Sequence, residues 1–241
     1  MALTRPCVSL LYDVASPYSW LAFEVCDRYT KIWDADIKFN PFLLGGVMKA
    51  TGNAPPGALP AKRVYMREDL ARCAKHFNVP LNYIKDGKVL YTSLAAQRLL
   101  TAVSLDEPAL LRPLSRALWL RIWSANTDIA QQESLAAACA AAGATPRDAA
   151  ALLLRSTEPD VKERLRAVTQ VAIDRGAFGA PTLIVTLPGG PPEGDLFFGC
   201  DRFDQLAAAI GQPWLGPDPL SNAASRPLSP GAEPHERQSR L

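Results

Sequence analysis

The chain has 241 residues and is 48% hydrophobic, enough for one domain carrying a large insertion or for two closely packed domains. Its formal net charge is only +2 and its charges are interspersed, which gives nucleic-acid binding little electrostatic support. Five cysteines (Cys7, Cys26, Cys73, Cys139 and Cys200) never occur as Cys-x-x-Cys, and there are only two histidines, which argues for reduced thiols in an intracellular protein and against a zinc site.

The N-terminal run "CVSLLYDV" has the length and composition of a buried strand. It lacks the apolar core and small-residue cleavage site of a secretory signal. Residues 17–33 then read as a helix with Pro17 in its first turn, where a missing N–H costs nothing. "ADIKFNPF" alternates as a second strand, so the first three elements form a β-α-β unit with a parallel strand pair. The segment "LLGGVMKATGNAPPGALP" reads as a loop with a short helix.

From about residue 60 to 175 the sequence is helix-forming. "AKRVYMREDLARCAKHF", "SLAAQRLLTAV", "EPALLRPLSRALWLRIW", "QESLAAACAAAG" and "DVKERLRAVTQVAIDRG" are the amphipathic segments. Pro60, Pro108 and Pro159 fit helix starts, while Pro113 needs an early-turn position or a kink. Two apolar runs in "APTLIVTLPGGPPEGDLFFG" flank a Gly/Pro turn as a hairpin. "DRFDQLAAAIG" is a last helix with Asp201 as its expected N-cap.

The order β-α-β, helices, β-β-α predicts an α/β fold: a thioredoxin-like sheet interrupted by a large all-helical insertion. Residues 5–45 and 176–217 form the sheet domain, 46–175 the insertion, and 218–241 a Pro/Ser-rich tail too poor in large apolar residues to order itself. No run reaches the roughly 18 apolar residues of a membrane span.

The stretch "YDVASPYSW" places Ser16-Pro17-Tyr18-Ser19 where the first strand meets its helix. Thioredoxin-like redox proteins carry Cys-x-x-Cys there, and here both thiol positions are serine, which argues against disulfide exchange. Orphan amides and the positive end of the helix dipole favour an anion at that point. Ser16 is either a simple helix cap or a hydroxyl that donates to a thiolate brought by a ligand. "GAFGAPTLIV" places Ala180-Pro181 before a strand. Pro181 is either an ordinary trans proline or a cis proline that turns the Ala180 backbone toward the helix, free to pair with an extended peptide.

The segments "DVASPYSW", "TGNAPPGALPAK", "LWLRIWSAN", "RGAFGAPTL" and "FFGCDRFDQL", in that order, resemble the kappa class of glutathione transferases across residues 5–217. The related 2-hydroxychromene-2-carboxylate isomerases share that fold and glutathione site. The resemblance implies that Ser16 holds the glutathione sulfur, with Pro17 and Tyr18 forming the adjoining wall. It implies that Ala180 pairs by its backbone with the cysteinyl unit ahead of a cis Pro181. Asn53 and Lys62 would hold the glycyl end, and Cys200 and Asp201 the γ-glutamyl end. Ala180 stands where a larger aliphatic residue is usual, and Cys200 where serine is usual.

The activity so implied is conjugation of glutathione, as co-substrate and without a metal, to small hydrophobic electrophiles, with glutathione peroxidase activity beside it. The alternatives are a glutathione-dependent isomerase and a non-catalytic peptide- or protein-binding partner. A homodimer is implied too, with no nucleic-acid partner. The chain ends in Ser239-Arg240-Leu241, one residue from the Ser-Lys-Leu peroxisomal signal, which predicts recognition by an import receptor and a peroxisomal address. The mitochondrial matrix is the alternative.

Overall fold

The computed structural model describes residues 3–82 and 92–219. Most of the tail, including Ser239, Arg240 and Leu241, lies outside the described residues.

Strand β1 (Cys7–Tyr12) leads into α1 (Pro17–Tyr29) and returns through β2 (Asp36–Pro41), parallel to β1. The insertion follows as α2 (Leu44–Thr51), α3 (Pro60–His76), α4 (Leu94–Asp106), α5 (Pro108–Trp119), α6 (Gln132–Ala141), α7 (Pro146–Arg155) and α8 (Pro159–Asp174). The chain closes with β3 (Thr182–Thr186), β4 (Asp195–Phe198) and α9 (Phe203–Ala209). The sheet order is β2-β1-β3-β4, with β3 antiparallel to both β1 and β4.

Alternation along β1 separates two apolar layers. Val8, Leu10 and Tyr12 face one core with Phe23, Leu99, Leu118 and Trp119; Leu11 faces the other with Phe42, Val47, Ala172 and Ile184. The larger core is shared between sheet and insertion. The ring of Trp119, from α5, lies 5.4 Å from that of Tyr12 and 4.9 Å from that of Phe23.

Several expected boundaries shift. Helix α1 stops at Tyr29 rather than residue 33, because the Thr30 hydroxyl takes the Asp27 carbonyl at 2.7 Å. Trp33 keeps helical spacing but is buried by other means: its ring packs on Tyr29, and its indole N–H donates to the Pro213 carbonyl at 2.8 Å. Pro113 lies inside α5 rather than in its first turn. Helix α7, not singled out in the sequence, is capped by Thr145, whose hydroxyl oxygen accepts the Asp148 amide at 3.2 Å.

Helix α5 runs into a π-helical turn, Leu120–Ser124, a rare geometry that re-aims the side chains it carries. From that turn the Trp123 indole N–H donates to the Val14 carbonyl at 3.0 Å. Gln97, fully buried on α4, bridges the same loop. Its amide donates to the Tyr12 carbonyl at 2.9 Å and the Phe42 carbonyl at 2.7 Å, and its oxygen accepts the Val14 N–H at 3.4 Å. The insertion therefore fixes the turn between β1 and α1.

Substituting Gln97→Leu preserves approximate volume but strands three backbone groups. It is expected to cost about 2–4 kcal/mol, read as a lower urea midpoint at an unchanged m-value.

Candidate functional site

The site forms where α1 begins and the loop before β3 passes it. Ser16 is the N-cap of α1: its Oγ accepts the Ser19 amide at 3.1 Å, and Pro17 occupies the first helical position. The Ser16 hydroxyl also donates to the Ala180 carbonyl at 3.1 Å. The Ala180–Pro181 peptide is cis. Ser16 is thus both cap and link to the cis-proline loop, and of the two Ala180 backbone groups the carbonyl is already engaged. Ser19 is fully buried, and its Oγ has no hydrogen-bond partner among the described residues.

The 199–201 corner is tied to the cis-proline loop by the Gly199 amide, which donates to the Pro181 carbonyl at 3.1 Å. Gly199 has φ +101°, and a Cβ there would lie 2.5 Å from Asp201 Oδ1, so a side chain is excluded on both counts. Cys200 is buried; Asp201 is exposed and paired with Arg202 at 2.6 Å. Asp201 does not cap α9, contrary to expectation. The helix begins at Phe203 with Arg202 as its N-cap residue, and the Asp201 carboxylate turns to the Arg202 guanidinium instead.

Asn53 reaches the same loop, its amide donating to the Phe178 carbonyl at 2.6 Å. Lys62 lies exposed on the first turn of α3. The structure therefore joins Ser16, Ala180 and Pro181 directly, brings Asn53 to the segment before them, and sets Lys62 on the neighbouring helix.

Sequence reasoning passed over Asp69. Tyr65, Asp69 and Cys73 recur every four residues on one face of α3, which is the signal that was available. The Tyr18 hydroxyl donates to Asp69 Oδ2 at 2.8 Å and the Tyr65 hydroxyl to Oδ1 at 3.2 Å. Burial, reinforced by Asp69, pushes the Tyr18 phenol far up, so it stays a donor. Burial and then Asp69 push the Cys73 thiol up to about 11. Burial, with Cys73 and Asp201 nearby, raises Cys200 further. The protein's own thiols here are held protonated, and Ser16 has no ionisable hydrogen at neutral pH. Among the described residues, no group of three His, Cys, Asp or Glu is placed to hold a metal.

Just upstream, Asp13 is fully buried. Its Oδ1 accepts the Ala15 amide at 2.9 Å; its Oδ2 accepts the Leu44 amide at 2.9 Å and the Ser93 hydroxyl at 2.8 Å. Its own carbonyl accepts the Ser16 amide at 2.9 Å. Burial pushes its carboxyl up to about 6, opposed by those three hydrogen bonds.

Residues 7–211 match the family model described as "DSBA-like thioredoxin domain", and the chain belongs to that family. A solved structure of 2-hydroxychromene-2-carboxylate isomerase shares the fold, with a TM-score of 0.68 at 23% identity, covering 85% of this chain and 94% of that one. The chain is 42% identical over 215 residues to human glutathione S-transferase kappa 1, covering 88% of this chain and 94% of the relative. It is 40% identical over 215 residues to the rat protein of the same name, with the same coverage. Within the wider family, it is a kappa-class glutathione S-transferase homologue.

The Asp13 environment sets a pH dependence of stability. A carboxyl whose folded pKa is about 6, against 3.8 when unfolded, binds its proton more tightly in the native state. The stability this confers is fully present below the unfolded value and is lost as pH rises through the folded one. Relative to Asp13→Asn, the native protein is expected to lose about 3 kcal/mol between about pH 3 and about pH 8, measured by urea denaturation across that range.

Proposed function

We propose that the protein conjugates the glutathione thiolate to small hydrophobic electrophiles. The observation that carries this reading is the Ser16 hydroxyl, capping α1 while donating to the Ala180 carbonyl beside a cis proline. It is a donor at the positive end of a helix, next to backbone groups that suit an extended peptide.

The energetics suffice. A free thiol titrates near 8.5, and lowering that by about two units needs about 2.7 kcal/mol. A helix N-terminus supplies up to about 2 kcal/mol and a hydrogen bond to a charged group about 1.5–3 kcal/mol. A thiolate that accepts the Ser16 hydrogen bond releases the Ala180 carbonyl. That carbonyl then becomes an acceptor for the cysteinyl N–H, so sulfur and peptide backbone engage together.

The remaining positions follow the peptide outward. Pro17 and Tyr18 wall the sulfur, Pro181 holds the Ala180 backbone in place, and Asn53 and Lys62 take the glycyl end. Cys200 offers its backbone to the γ-glutamyl end, while the Asp201–Arg202 pair sets a carboxylate and a guanidinium beside each other to meet its ammonium and carboxylate. Hydroperoxides are a second substrate class, reduced to alcohol and water as two glutathiones become the disulfide. The protein acts as a homodimer.

Ser16→Ala is expected to leave folding nearly intact and to raise the bound glutathione pKa by about one to two units. Ultraviolet titration of the thiolate reads this directly, and an unchanged curve would remove Ser16 from the mechanism. Asp201→Ala is expected to weaken glutathione binding in calorimetry by roughly tenfold or more while leaving that thiol pKa close to native. Unchanged affinity in a folded variant would overturn the γ-glutamyl assignment.

A further inference from the structure

Asp13 is a buried carboxylate, and among the described residues no cation stands against it. Among the described residues its side chain accepts from the Ala15 amide, the Leu44 amide and the Ser93 hydroxyl. Each lies at the start of a helix: Ala15 just before the α1 cap, Leu44 as the first residue of α2, and Ser93 as the cap residue of α4. A helix N-terminus carries partial positive charge, so all three favour the ionised carboxylate and offset part of its burial.

The residue also grips the Ser16 loop twice over, the side chain through the Ala15 amide and the main chain through the Ser16 amide at 2.9 Å. The Trp123 and Gln97 bonds to this loop end at Val14, leaving Asp13 as the anchor adjoining Ser16.

We propose that Asp13 is a positioning residue for the glutathione thiolate. By gathering the beginnings of α1, α2 and α4 onto one carboxylate, it fixes the Ser16 hydroxyl where it reaches the sulfur. The proposal rests on the transferase reading above and adds a second group on which that reading depends.

Positioning and charge act in opposite senses here. A carboxylate close to the sulfur disfavours a thiolate, so simple removal of negative charge lowers the bound thiol pKa. Loss of positioning raises it, because productive geometry at such a site tolerates only about 0.5 Å of displacement. The sign of the shift therefore separates the two effects. A purely structural role is separated by a ligand that has no thiol: S-methylglutathione uses the peptide-binding groups but not the thiolate contact.

The experiment compares the native full-length protein with Asp13→Asn and Ser93→Ala. Folding is checked by circular dichroism, the bound thiol pKa by thiolate absorbance, and S-methylglutathione affinity by calorimetry. Asp13→Asn is expected to raise the bound thiol pKa by about one unit, a roughly threefold loss of thiolate at neutral pH, with S-methylglutathione affinity within about twofold of native. Ser93→Ala, which removes one donor without altering the loop sequence, is expected to shift the titration in the same direction by less. If Asp13→Asn does not fold, the Ser93→Ala titration decides. A bound thiol pKa that falls or stays put in the folded variant overturns the proposal, as does parallel loss of S-methylglutathione affinity. A native protein that forms no glutathione thiolate overturns the transferase reading itself, and this is distinguishable because it is seen before any substitution is made.

Discussion

A carboxylate taken out of water must be surrounded by donors, and at Asp13 the donors among the described residues stand at the starting points of helices. That requirement organises the molecule. It brings the end of β1, the first residue of α2 and the cap of α4 to one point, although Leu44 and Ser93 lie 31 and 80 residues along the chain. The Ser16 turn follows directly on that point. Gln97 and Trp123 complete the enclosure from α4 and the π-helical turn. The helical insertion is therefore part of what shapes the turn, rather than a cover laid over a finished sheet.

Much of this was legible in the residues. An apolar run followed by Ser-Pro marks a strand ending at a capped helix, because proline at the first helical position and serine before it satisfy local backbone needs. Ala-Pro ahead of a second apolar run marked the loop that carries the cis peptide. These features are local, and the order of strands and helices followed from them. Kappa-class motifs gave the family and directed attention to Ser16, Ala180 and Asp201.

What escaped reading was set by distant partners. Asp13 looks like an ordinary turn residue after a strand, since nothing nearby announces that Leu44 and Ser93 will close over it. Asp69 looks like one charge among many on an exposed helix until Tyr18 approaches from α1. Asp201 carries every local sign of an N-cap, yet Gly199 and Arg202 set its direction. Trp33 continued the apolar spacing of α1 but was drawn out of the helix by Tyr29 and the Pro213 carbonyl.

Ser19 bears on the turnover cycle. A thioredoxin-type protein keeps a second sulfur behind the first, so a mixed disulfide formed at the surface resolves internally and the protein carries two electrons away. Here that place holds a hydroxyl sealed in the core. No thiol stands at the resolving position at the start of α1, and burial holds the neighbouring Cys73 and Cys200 protonated. The two-thiol exchange of a Cys-x-x-Cys loop is therefore closed at this position. A thioredoxin scaffold without that inner thiol serves a chemistry other than the Cys-x-x-Cys exchange it is built around elsewhere.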